Sequence, residues 1–256
     1  MLLPLSGIGW CVLVVAAVAV GIAKTALPGA ATLAVALFAA VLPARASTGT
    51  LLILLLVGDA VAISAYRRDV DWATLRRLVP GVLLGVVAGA GFLMAAGDRA
   101  TAILIGALLL ILIAVTLALM RRPGPPTVQG PAGRLVYGTL SGFTTMAANA
   151  GGPVMTMYLL ASRFAVTSFL GTTAWFFFLV NVVKLPFSIG LGVIHAETLG
   201  LDAVLAPVVI ASALAGRRVA ARMDQGLFNR LVTALTVVSG TVNLLRNDLP
   251  RQWGAL

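Results

Sequence analysis

The chain has one cysteine, Cys11, and one histidine, His195. A lone thiol rules out an intrachain disulfide, a thiolate metal cluster and a redox pair; Cys11 reads as a small apolar residue of a helix. Charge is scarce as well: Asp, Glu, Lys and Arg together make up 10% of residues, against about 25% in soluble domains. No GxxxxGK[ST] phosphate loop occurs, which leaves ATP-driven transport by this chain alone without support. There is no nucleophile elbow and no HExxH, so no enzyme is expected and no cofactor is implied. His195, Glu197 and Asp202 fall in the short stretch HAETLGLD, but without a second histidine the spacing suits a solvated loop better than a metal site.

Apolar sequence fills the space. Hydrophobic residues make up 60% of the chain, and its mean hydropathy is +1.06. The stretch from Thr101 to Met120 is uncharged and long enough to cross a hydrocarbon core of about 30 Å at about 1.5 Å per residue. Comparable segments lie near 8–24, 28–43, 48–66, 76–96, 134–149, 152–162, 167–190, 199–216 and 227–245. Those at 28–43 and 152–162 are short, as expected of a half-helix or one arm of a re-entrant hairpin. The opening has no basic leader followed by a small-residue cleavage site, so Ile8 to Ala23 reads as a retained span.

The formal net charge of +10 does not point to nucleic acid, because the cations sit in short connectors rather than on one folded face. Alternating connectors put Lys24, Arg67, Arg68, Arg76, Arg77, Arg121, Arg122, Arg134, Arg163, Arg217, Arg218, Arg222 and Arg230 on one side. Arg45, Arg99, Arg246 and Arg251 fall on the other. The positive-inside rule then makes the first side cytoplasmic and turns both termini outward. The Pro/Gly-rich stretch RRPGPPTVQGPAGR, at mid-chain, divides the sequence into a first transmembrane repeat at 1–120, a cytoplasmic linker at 121–133 and a second repeat at 134–256.

An internal match supports that division. Gly49-Thr50 and Gly171-Thr172 are offset by 171 − 49 = 122, as are Gly29 and Gly151, and Asp59 and Asn181. After an insertion of five residues, Pro80 and Gly89 correspond to Pro207 and Gly216 at an offset of 127. Five segments per half would make the second half enter the membrane from the opposite side, an inverted repeat of the kind that builds many secondary transporters. The fold expected is an all-α, polytopic transmembrane bundle of two inverted repeats with broken or re-entrant helices.

Each half breaks early at a small, polar stretch, GIAKTALPG at 21–29 and GFTTMAANAGGP at 142–153. Amides at half-helix N-termini attract anions, and hydroxyls can replace a ligand's water, so Lys24, Thr25, Gly29, Thr144, Thr145, Asn149 and Gly151 are candidate substrate ligands. The alternative is that the glycines permit close packing and the threonines bond to their own helices. Two ionisable residues lie well inside apolar segments, Asp59 and Lys184, where a bare charge costs about 2.5–3.5 kcal/mol on insertion scales. Asn181, Lys184 and Ser188 share one helical face, and Asp59, Ala62 and Tyr66 form the equivalent face of the other half. Pseudo-twofold symmetry would bring Asp59 toward Lys184, making Asp59 a candidate proton carrier and Asn181 and Lys184 candidate substrate contacts. The run Trp175 to Phe178 reads as lipid-facing or packing surface.

These stretches, with the connectors ARASTGT and AVTSFLGT and the element RRDVDW before a Gly-rich span, resemble the TauE/SafE family of sulfite-exporter-like permeases over residues 8–245. The first break departs from the commoner family pattern by reading AKTALPG, with a cation in place of further glycines. The resemblance implies a multi-spanning carrier of the cell inner membrane that moves a small anion such as sulfite, a sulfonate or a carboxylate. Its partners would be that anion and the lipid bilayer, with no nucleic acid; a homo-oligomer is compatible with the sequence. A passive anion pore and a non-transporting membrane scaffold are the alternatives.

Overall fold

A computed structural model describes residues 5–27, 30–97, 99–101, 130–162, 164–194 and 196–224, with a few positions within 103–111 and 226–231. The 100–120 segment, the linker and the 227–245 segment lie largely outside the described residues, as do Gly29 and His195.

Local chemistry sets the helix starts. Ser6 caps α1, Gly7–Thr25, by accepting from the Gly9 amide at 3.2 Å. The helix ends in the first break, and α2, Ala30–Val41, follows. Pro43 precedes α3, Ala44–Tyr66. Asp71 caps α4, Trp72–Ala95, by accepting from the Thr74 amide at 3.0 Å, so this helix begins four residues before the hydropathic segment. Pro131 occupies the first turn of α5, Pro131–Ala148, where its missing N–H costs nothing. That helix stops because Asn149 turns left-handed (φ 53°), a conformation asparagine tolerates better than most residues. Then come α6, Gly152–Ala161, α7, Val166–Gly190, and α8, Ala196–Ala220.

Among the described residues five helices are long and apolar enough to cross a membrane: α1, α3, α4, α7 and the 198–220 part of α8. The 12 residues of α2 and 10 of α6 reach only about 18 and 15 Å, so neither spans alone. Each pairs with the helix before it in a hairpin, α1 with α2 and α5 with α6.

Small residues decide how the long helices meet. α1 and α8 run side by side in the same direction: a Cβ on Gly21 would collide with Val209 and Ser212, and one on Gly216 with Thr25. α4 and α5 pack in the same manner through Gly81 and Gly85 against Leu135 and Thr139, and through Gly142 against Val82. α3 and α7 are antiparallel and reciprocal. Gly49, early in α3, lies against the Val193 carbonyl beyond the end of α7, while Gly171, early in α7, lies against Tyr66 and Asp69 at the end of α3. Arg45 ties one end of the bundle, donating to the Ala96 carbonyl after α4 at 3.1 Å and the Leu191 carbonyl after α7 at 3.0 Å. Its charge there complements two helix C-termini.

Candidate functional site

The tips of the two hairpins meet where α3 and α7 cross. Lys24, in the last turn of α1, is 9% exposed, and its Nζ lies 2.6 Å from Asp59 Oδ1. Gly58 makes room for this lysine, because a Cβ there would stand 2.8 Å from Lys24 Cγ. The ammonium also sits over the Phe177 ring, 4.9 Å from its centroid, a favourable cation–π arrangement. The second oxygen of Asp59 accepts from Asn181 Nδ2 at 2.7 Å. Asn181 Oδ1 lies 3.5 Å from Lys184 Nζ, which donates to Asn149 Oδ1 at 2.5 Å. Asn149 Nδ2 in turn donates to the Thr48 carbonyl at 2.8 Å. One buried chain of polar contacts thus links α1, α3, α7 and the end of α5.

The counter-ion of Asp59 differs from the one symmetry suggests. Spacing points to Lys184; the structure puts Lys24 there, because the first hairpin carries the end of α1 against Gly58 and Asp59. Asn181 stands between the carboxylate and Lys184, bonded to both. Lys24 therefore also leaves the set of connector cations on which the expected orientation rests, and the count read from sequence changes from thirteen against four to 13 − 1 = 12 against four.

Both breaks open on one small cavity of about 20 Å³, room for about one water molecule. Lys24 and Ala31 come to it from the first break, and Thr145, Asn149 and Gly152 from the second; Thr173 and Phe177 of α7 complete the wall. Ala31 and Gly152 belong to the first turns of α2 and α6, so the N-terminal ends of both short helices face this space. Thr173 was not singled out by sequence, yet its hydroxyl is buried and meets no partner among the described residues. The available signal was periodicity, since Thr173, Phe177, Asn181, Lys184 and Ser188 repeat at intervals of three and four along one face of α7.

The other candidates do different work. Thr25 Oγ1 donates to the Ala213 carbonyl at 2.8 Å and to Gly21 at 3.1 Å, and the Thr25 carbonyl accepts from the Tyr66 hydroxyl at 2.8 Å. Thr144 Oγ1 donates to Leu140 at 2.7 Å. Both hydroxyls are thus engaged by backbone, the packing alternative. Gly151 holds the tip of the second hairpin: its carbonyl accepts from Ser141 Oγ at 3.3 Å, and a Cβ would stand 2.8 Å from Thr145 Cβ. Within Trp175 to Phe178, Phe176 and Phe177 are buried, and Trp175 packs on Trp72 with centroids 5.0 Å apart. Asp202 is no solvated loop residue; it lies in α8, 3% exposed, because that helix begins before it and buries Leu201 and Leu205 beside it.

No curated protein and no solved structure shows significant similarity to the chain. The family described as sulfite exporter TauE/SafE matches residues 13–242, nearly the full length. With its long apolar helices, the chain is a multi-pass integral membrane protein and belongs to the TauE/SafE family.

Proposed function

We propose that the chain is a secondary carrier that moves a small anion (sulfite, an organosulfonate or a small carboxylate) across the plasma membrane, with transport coupled to protons through Asp59. The observation that carries this reading is the meeting of both helix breaks at one cavity beside two buried lysines. Helix N-termini and ammonium groups attract negative charge most strongly where water is excluded. Lys24, Thr145, Asn149 and Thr173 would face the anion, while Gly151, Thr25 and Thr144 shape the breaks. A carboxylate held by one lysine and one amide can exchange the lysine for a proton, and a coupling residue needs that choice.

Alternating access is supported by reciprocal packing. The repeat-matched residues Asp59 and Asn181 bond to each other, and Gly49 and Gly171 each rest on the segment following the other's helix. The parallel pairs α1/α8 and α5/α4 correspond under the same offsets. Two inverted halves would behave in this way, each opening on one side.

Purified protein in liposomes tests the reading with labelled sulfite. Counterflow and uphill movement driven by a pH gradient are expected; downhill flux without counterflow indicates a passive pore, and no flux indicates a scaffold. Asp59→Asn should abolish pH-driven movement and keep exchange. Unchanged pH dependence in that variant removes Asp59 from the coupling.

A further inference from the structure

The buried polar chain contains two lysines, Lys24 and Lys184, and one carboxylate, Asp59, exposed by 9%, 1% and 0%. Lys24 is matched by Asp59 at 2.6 Å. Lys184 is not matched: its Nζ is held by the amide oxygens of Asn149 and Asn181, and no carboxylate among the described residues pairs with it. With all three groups ionised the network carries one positive charge in excess, in a place where an uncompensated charge is expensive.

We infer that the site is built to take a singly charged oxyanion, which for sulfite means the hydrogen sulfite form, and to discriminate against a doubly charged one. The inference rests on reading the cavity as the anion site. One negative charge between Lys24 and Asn149 brings the buried total of the network to zero, whereas a second would leave the site with an unpaired negative charge. Lys184 acts on the anion through Asn149, which lines the cavity and bonds to it. Thr173 supplies a hydroxyl that is 7% exposed, borders the cavity and lacks a partner among the described residues, a donor left free for an oxyanion oxygen. At about 20 Å³ the cavity has room for about one water molecule, so an anion would need its lining residues to move apart.

Methanesulfonate and sulfate test the inference, because both offer a sulfur oxyanion head but carry one and two charges. Binding to the full-length protein in detergent is measured by calorimetry and thermal shift at matched ionic strength. Methanesulfonate should bind at least about tenfold more tightly than sulfate. Asp59→Asn raises the excess to two charges and should move the preference toward sulfate by about tenfold or more, while Lys184→Gln removes the excess and should weaken methanesulfonate by a similar factor. Equal or tighter sulfate binding in the unsubstituted protein overturns the inference, as does an unmoved preference in folded Asp59→Asn protein. If either variant fails to fold, the comparison on the unsubstituted protein decides alone. Failure of methanesulfonate, sulfate and sulfite alike to bind overturns the anion-site reading itself, and this inference with it.

Discussion

Breaking the Lys24–Asp59 pair from one side should cost far more than removing both charges together. At 2.6 Å, with the side chains 7% and 0% exposed, the gross attraction is about 6 kcal/mol at an effective dielectric constant of ~20. Desolvation offsets much of this in the intact pair, but a lone survivor keeps the desolvation cost and loses the attraction, for a penalty of about 3–5 kcal/mol. Asp59→Asn should be the worse single change, since it leaves Lys24 and Lys184 as two buried cations without a carboxylate between them. Lys24→Met is milder, because Asn181 still connects Asp59 to Lys184. The double variant restores the original excess of one charge and should lie within about 2 kcal/mol of the starting protein, giving a coupling energy of about 3 kcal/mol or more, over a hundredfold in equilibrium constant. Denaturant titration of the purified protein in micelles, followed by tryptophan fluorescence, measures all four corners of the cycle. Additive costs, or single changes each under about 1 kcal/mol, would refute the buried pair.

Gly49→Ala and Gly171→Ala should each destabilise by about 1–3 kcal/mol, since their new methyl groups meet the backbone of Val193 and of Tyr66 and Asp69, whereas Gly91→Ala, with open space around it, should be neutral or slightly stabilising; thermal midpoints in detergent compare the three. The Thr74 amide that bonds to Asp71 holds its carboxyl below the ordinary value of 3.8. A lowered folded-state pKa means a contribution that is complete above the ordinary value and disappears as pH falls through the folded-state value. Asp71→Ala should therefore cost about 1 kcal/mol at neutral pH, and the difference from the unsubstituted protein should shrink when midpoints are measured in strong acid. Tags at both termini should be protected from a label confined to the cytoplasmic side, and labelling of either one overturns the assigned orientation and the inverted repeat with it.

Class and membrane residence were legible in the sequence because they depend on composition and length alone. Runs of apolar residues long enough to cross hydrocarbon must do so as helices, whatever they pack against. The breaks were legible for a similar reason: glycine, proline and a left-handed asparagine act on their own backbone, so Asn149 ends α5 and α6 is short without help from neighbours. The Gly49/Gly171 and Asp59/Asn181 correspondences could be read as spacing, although spacing does not say which groups touch. Contact was decided by the tertiary structure. Lys24 pairs with Asp59 because a hairpin of α1 and α2 presses the end of α1 onto Gly58, a juxtaposition 35 residues apart in sequence that no helical period encodes. Thr25 and Thr173 show the same limit. Both are threonines on apolar helices, but the close approach of α1 and α8 consumes the Thr25 hydroxyl at the Ala213 carbonyl, while Thr173 meets a cavity in place of a neighbouring helix and keeps its donor free among the described residues. A sequence states which groups a chain carries; which of them are spent and which remain available depends on how closely the helices approach, and that is a property of the packed bundle.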